Sequence, residues 1–248
     1  VRVDLNCDMG EGIETDAAIF PFISSANIAC GAHAGDADIM RRTVELALRH
    51  GVAIGAHPSY PDRARFGRVD ILGEGLSISQ LEDSLYEQLR VLDEVCRGLG
   101  VHMHHVKPHG ALYNRAAKDA AVSELIARAV ADFDGSLLLY GLSGSLMEPA
   151  AVAGGLGFVS EVFADRTYRF DGSLTPRTEP GALITDGAAA VAQVLRLVGE
   201  GRVVTAGGEI AIKAETVCLH GDGAHAVEFA ELIHGALLRE GVNIAAPI

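Results

Sequence analysis

A parallel (β/α) barrel is the fold this sequence predicts, and three observations predict it. Strand-like apolar runs alternate with helical patterns along the whole length, which calls for a parallel sheet. Polar residues recur at alternate positions inside those runs (Asp4, Asn6 and Asp8; Asn27; His102 and His104; Glu161; His220). A doubly wound central strand is apolar on both faces, whereas a barrel accepts polar side chains on its inner face near the mouth. Connections into strands are terse, such as His50-Gly51 and Gly154-Gly155, while those leaving strands are long, notably Pro58 to Leu76 and Arg166 to Ile184. Long loops at one end suit lids over a site there. The expectation is a single α/β domain over residues 1–248, with seven strands.

The elements follow in order. Val1 to Cys7 alternates as a strand and ends in Asp8-Met-Gly-Glu11. Ser25 to Cys30 is the second strand, and Asp36 is placed to cap a helix running to about His50. Gly51 to Ala56 is the third, ending in His57-Pro58. Ser79 to Arg97 carries Leu81, Leu85, Leu89 and Leu92 on one helical face. The fourth strand lies in His102 to Lys107, where Pro108 and Gly110 break the chain, and a helix is expected from Ala116 to Phe133. Ser136 to Tyr140 is the fifth strand, followed by a helix around Leu146 to Ala153, and Gly157 to Phe163 is the sixth. Gly187 to Val198 is helical, and Val203 to Thr205 with Ile210 to Ile212 flank Gly207-Gly208 as a small hairpin. Thr216 to Leu219 is the seventh strand, and Ala226 to Leu238 is the closing helix.

Composition narrows the function. A formal net charge of −13 disfavours a nucleic-acid or anionic-membrane binder, which normally carries a basic field. No apolar run approaches a membrane span, and the first ten residues make no signal peptide; the start at Val1 is consistent with a missing initiator Met or short leader. Cys7, Cys30, Cys96 and Cys218 form no Cys-x-x-Cys pair, so they are expected to be buried reduced thiols of a cytoplasmic protein.

Six of the seven strand ends carry polar groups: Asp8 and Glu11; His33; His57; Lys107 and His109; Glu161 with Asp165 and Arg166; His220 with Asp222. One such residue alone would cap a helix or bond a turn. A set at one end of a sheet marks a site. Within His102 to His109, period-two alternation sends His102 and His104 one way and Met103, His105 and Lys107 the other, so the histidines cannot all face one ion. Lys107 and His109 are retained for chemistry, and the upstream histidines are expected to line or pack the barrel.

The segments Asp4-Leu-Asn-Cys-Asp-Met-Gly-Glu11, Ser25-Ala-Asn-Ile-Ala-Cys-Gly-Ala-His-Ala-Gly-Asp36, Gly55-Ala-His-Pro-Ser-Tyr-Pro-Asp62, Val106-Lys-Pro-His-Gly-Ala-Leu-Tyr-Asn114, Glu161-Val-Phe-Ala-Asp-Arg166 and His220-Gly-Asp222 resemble the LamB/YcsF family. Ala32, Ala37, Arg65 and Val69 depart from the family's common residues, all in loops. The resemblance implies an irregular seven-stranded barrel of the glycoside hydrolase/deacetylase type. It implies the A component of the bacterial 5-oxoprolinase, opening 5-oxo-L-proline to L-glutamate with ATP and with subunits B and C. No Gly-x-x-x-x-Gly-Lys-Ser/Thr loop is present, so ATP is expected to act through the partner subunits.

For that chemistry the expected catalytic residues are Asp8, His57, Lys107, His109 and His220. Lys107 or Arg166 would hold an anionic group, Asp8 or a neutral His57 or His220 would take a proton from water, and His109 would return one to the leaving nitrogen. Asn6 and Asn27 suit substrate orientation, and Glu11, His33, Glu161, Asp165 and Asp222 complete the expected substrate contacts. No metal is expected. A metal-dependent deacetylase-like hydrolase using Asp8, His57 and His220 is the first alternative. A non-catalytic subunit that binds a small acid is the second.

Overall fold

The computed structural model describes residues 1–220 and 226–248. Seven parallel strands close into a barrel: β1 (Arg2–Met9), β2 (Ser25–Ala29), β3 (Ala53–His57), β4 (His105–Val106), β5 (Leu138–Leu142), β6 (Gly157–Phe163) and, after an excursion, β9 (Thr216–Leu219). Closure is direct, since β9 pairs in register with both β6 and β1 (Glu161 opposite Thr216; Asn6 opposite Cys218). The excursion is an antiparallel hairpin, β7 (Arg202–Thr205) with β8 (Gly208–Ala211), and a short β10 (Asn243–Ile244) pairs with the start of β1 outside the ring.

Helices α1 (Asp16–Ile19), α2 (Ala37–His50), α3 (Ile78–Gly98), α4 (Gly110–Ala116), α5 (Ala120–Phe133), α6 (Met147–Ala153), α7 (Gly187–Glu200) and α8 (Ala226–Arg239) complete the chain. Leu81, Leu85, Leu89 and Leu92 of α3 are buried, as their spacing requires. Asp36 caps α2 by accepting the Ile39 N–H at 2.8 Å. The four cysteines are free and buried. Among the described residues, no helix is long and apolar enough to cross a membrane.

Three departures from expectation have local causes. The helix expected over 116–133 starts at Ala120, because Asp119 caps it by accepting from Ala121 and Val122, and a separate helix, Gly110–Ala116, precedes it. The fourth strand shrinks to His105–Val106, although ladder bonds persist from the His104 N–H to Ile54 O and from the Lys107 N–H to Ala56 O. Pro108 has no N–H to continue it. Helix α1 and the 3-10 turn Phe20–Phe22 occupy a stretch with no helical period, where Pro21 tightens the turn.

Candidate active site

The barrel interior is polar because β1 points Asp4, Asn6 and Asp8 inward, and each finds partners on neighbouring strands. At the base, Asp4 accepts Ser24 Oγ (2.6 Å), Ser25 Oγ (2.8 Å) and Thr216 Oγ1 (2.6 Å). Burial still pushes its carboxyl above the usual range, against the pull of those hydroxyls. One layer up, Asn6 Nδ2 donates to Glu161 Oε1 at 2.9 Å, and Asn27 Nδ2 donates to Asn6 Oδ1 (2.7 Å) and Asp8 Oδ1 (2.8 Å). His105 Nε2 reaches Asn27 Oδ1 at 2.7 Å, and its ring stacks on Tyr140. Gly55 makes room for that imidazole, since a Cβ there would lie 2.1 Å from Nε2.

Lys107 sits at the centre. Its Nζ donates to Glu161 Oε1 (2.8 Å), Asp8 Oδ1 (2.9 Å) and Asn6 Oδ1 (3.2 Å), with Cys218 Sγ at 3.1 Å. Burial opposes the ammonium, but Asp8, Cys218 and Glu161 outweigh it and hold its pKa well above the ordinary value. Asp8 answers in kind: burial opposes its charge, and the Lys107 ammonium helps to keep its carboxyl well below the usual range.

Above Lys107 the strand ends converge. His57 Nδ1 lies 2.7 Å from the Lys107 carbonyl, and His57 Nε2 lies 3.3 Å from Asp8 Oδ2 and 2.9 Å from His109 Nδ1. His109 Nε2 is 3.0 Å from the Phe66 carbonyl. His33 stacks on His109 with centroids 3.9 Å apart and places Nε2 at 3.2 Å from Glu11 Oε1. Gly67 folds the long loop against this cluster at φ +61°, where a Cβ would stand 2.0 Å from Ser59 Oγ. Across the mouth, His220 Nδ1 sits 2.7 and 2.9 Å from the two oxygens of Asp165, and its ring stacks on Phe163. Burial opposes the Asp165 charge, and His220 outweighs it to keep the carboxyl low.

Asp8, Glu11, His57, Lys107, His109, Arg166 and His220 all line one cavity of about 880 Å³. Five expected substrate contacts fall elsewhere. Asn6, Asn27, His33, Glu161 and Asp165 stand behind the lining and bond the residues that form it. Deep inward positions on a tight barrel meet one another before they meet a ligand. Asp222 lies outside the described residues. Lys107 has no capacity left for a substrate anion, because carboxylates, an amide oxygen and a thiol surround its ammonium. Burial first, then His57 and His33, push the His109 pKa down, and its Nε2 is turned to the Phe66 carbonyl. The metal alternative's three residues divide between two clusters with metal-ligand geometry, Glu11–His33–His57–His109 and Asp8–Cys218–His220.

Sequence reasoning passed over Cys218 and Arg177. Cys218 shares the inward phase of His220 on β9, a period-two signal that its reading as a buried thiol hid. Arg177 lies in the long loop after β6, lines the cavity and depresses the Arg166 pKa by proximity, after burial. No local pattern announces it.

The sequence profile of the LamB/YcsF family matches residues 3–248. The chain belongs to the LamB/YcsF family. Proteins named as the A component of 5-oxoprolinase are similar to this LamB/YcsF chain at 52% identity in Tolumonas auensis, over 99% of both chains, and at 52% in Shouchella clausii, over 98% of both. The crystal structure of a lactam utilization protein from Thermus thermophilus superposes with a TM-score of 0.92 at 41% identity, covering both chains fully. A Bacillus subtilis peptidoglycan deacetylase, at 10% identity and a TM-score of 0.50 over 98% of this chain and 86% of its own, shares the fold alone. The LamB/YcsF barrel is thus of the deacetylase-like type.

Proposed function

We propose that this chain is the A component of an ATP-dependent 5-oxoprolinase that opens the lactam of 5-oxo-L-proline by hydrolysis to L-glutamate. The names of its near-full-length relatives support the substrate, and the polar cavity supports a hydrolytic step. The observation that carries the mechanism is the Asp165–His220 pair at the cavity wall. A carboxylate only accepts, so His220 Nδ1 bears the hydrogen and Nε2 presents a lone pair. That is the arrangement of an oriented general base.

Water attacks the lactam carbonyl carbon while its proton passes to His220 Nε2. The carbon–nitrogen bond then breaks, the carbonyl becomes a carboxylate, and the same proton returns to the departing nitrogen as the ring opens to an amine. Arg166 and Arg177, side by side on the cavity wall, take the substrate carboxylate through charge-assisted hydrogen bonds. Lys107 acts from beneath, holding Asp8 ionised and His57 oriented through its own carbonyl. The lactam is unstrained, so its opening needs driving. ATP supplies that through partner subunits B and C, since this chain has no phosphate-cradling loop, and the ATP requirement suits a cytoplasmic assembly.

Reconstitution with subunits B and C tests both claims. ATP-dependent glutamate release from 5-oxoproline is the expected activity, and its absence from every assembly would refute the function. His220→Asn is expected to lower kcat by about 100-fold or more. Undiminished turnover in that variant removes the base.

A further inference from the structure

The geometry points to a divalent transition-metal site of the zinc class, built from Glu11, His33, His57 and His109. The imidazole tautomers are fixed by their backbone partners. His57 Nδ1 lies 2.7 Å from the Lys107 carbonyl, which can only accept, so that nitrogen carries the hydrogen and Nε2 is a bare lone pair. His109 Nε2 lies 3.0 Å from the Phe66 carbonyl, so by the same logic His109 Nδ1 is bare. These two lone-pair nitrogens face each other at 2.9 Å. Their next neighbours make matters worse: Asp8 Oδ2 stands 3.3 Å from His57 Nε2, and Glu11 Oε1 stands 3.5 Å from His109 Nδ1. Acceptors converge there with no donor between them.

Such a convergence is stable only around a cation. A single proton bridging the two rings would serve His57 and His109 alone and leave the neighbouring His33–Glu11 pair outside it. His33 is 1% exposed, and its Nδ1 has no partner among the described residues. A metal ion uses all four groups. One donor atom from each of Glu11, His33, His57 and His109 lies within 4.8 Å of the others. Tetrahedral zinc with bonds of about 2.0–2.1 Å needs ligand atoms about 3.3 Å apart, so closure takes only small side-chain shifts. The backbone carbonyls behind His57 and His109 are the outer partners that fix metal-binding imidazoles. The ligands come from the carboxyl ends of four successive strands, β1 to β4, which explains why no spacing motif reveals the site. Glu11, His57 and His109 line the cavity, so a bound ion would face the substrate chamber.

Metal binding here does not depend on the 5-oxoprolinase reading, and its test reads binding rather than turnover. Chelator-treated full-length protein is titrated with zinc chloride by calorimetry, and with cobalt chloride by visible absorption. One equivalent is expected to bind, with the intense cobalt absorption of a tetrahedral site. His57→Asn, His109→Asn and Glu11→Gln are each expected to weaken binding by about 100-fold, while His104→Asn leaves it unchanged. Nitrogen-15 spectra of the wild-type imidazoles give a readout independent of variant folding: His57 Nε2 and His109 Nδ1 should resonate as bare nitrogens and shift on zinc addition. Spectra unchanged by excess zinc, or affinity retained in folded His57→Asn and His109→Asn, would overturn the site.

Discussion

Replacing Lys107 with Met tests how the barrel tolerates a buried carboxylate pair. The ammonium is 2% exposed as a residue and bridges Asp8 Oδ1 at 2.9 Å and Glu161 Oε1 at 2.8 Å. Met preserves most of the side-chain volume, so the cost comes from charge rather than from a cavity. Removing one member of a buried ionic cluster typically costs about 3–5 kcal/mol, because the remaining charges lose their partner. At about 2–4 °C per kcal/mol for a chain of this size, the melting temperature should fall by about 6–20 °C. The sign of the pH dependence follows from Asp8. Burial opposes its charge, yet Lys107 helps to hold its folded-state pKa below the unfolded value, so the stability it contributes is full above the unfolded value and is lost as pH falls through the folded one. Removing the lysine gives up part of that contribution, so the deficit against wild type should widen as pH rises from 3 to 8. Adding Glu161→Gln removes the second carboxylate while keeping an acceptor for Asn6 Nδ2, and should recover about half of the loss. The assay is urea unfolding of the three proteins across that pH range, with turnover in the reconstituted assembly alongside. The double variant should be stable and inactive. A single variant within about 1 kcal/mol of wild type at pH 8 would mean that Lys107 does not neutralise this pair, and the reasoning would fail.

Three further outcomes are expected. Asp16 is buried with its Oδ1 unpartnered, and burial pushes its pKa from 3.8 to about 6, so its stabilising contribution is complete below pH 3.8 and lost above pH 6. Asp16→Asn keeps the acceptor for the Gly10 N–H and should gain up to about 3 kcal/mol over wild type at pH 8 but nothing at pH 4; an equal difference at both, by thermal unfolding, would contradict this. Gly55→Ala drives a Cβ into the His105 ring and breaks its bond to Asn27, costing about 3 kcal/mol from overpacking and an orphaned amide oxygen. A melting temperature within about 2 °C of wild type would show that His105 does not fill that wall. Asp165→Asn should depress kcat by at least about tenfold with KM little changed, because it loosens His220 without touching the cavity; a change confined to KM would make Asp165 a substrate contact instead.

Much of the architecture was legible because the barrel repeats one simple grammar. The bounds of β6 and β9 coincide with the apolar runs Gly157 to Phe163 and Thr216 to Leu219, and the leucine stripe of α3 faces inward as spaced. What resisted prediction was set by single atoms or by closure. Asp119 fixes the start of its helix at Ala120 through its side-chain oxygen, a choice that composition over 116–133 conceals. Strand β10 is two residues long and exists only because the ring leaves the start of β1 unpaired. The strand-end residues were visible as a set, but their grouping was not. Whether His109 meets His57 or His220 depends on the order of strands around the barrel, and alternation within a strand carries no information about that. Roles suffered accordingly: Lys107 looked free to bind an anion, and only the arrival of Glu161 from the far side shows that it is already matched.

The charge distribution inside the barrel gives the site a direction. Asp8 and Glu161 share the single charge of Lys107, and Glu11 adds a further carboxylate at the histidine cluster, so the floor is short of positive charge. The loops over it lean the other way. Arg68, Lys118, Arg166, Arg169 and Arg177 line the same cavity, against Asp171 in the lining and Glu179 paired with Arg169, on a protein whose overall charge is −13. Fields add inside a low-dielectric cleft, so an anion is drawn to the rim and repelled from the floor, while a cation is held at the floor. A ligand bearing one carboxylate would therefore be held with that group outward, against Arg166 and Arg177, and its remainder over the layer where Asp8, Cys218 and His220 meet. The buried lysine–carboxylate cluster, which an apolar core would avoid, sets the polarity of that floor.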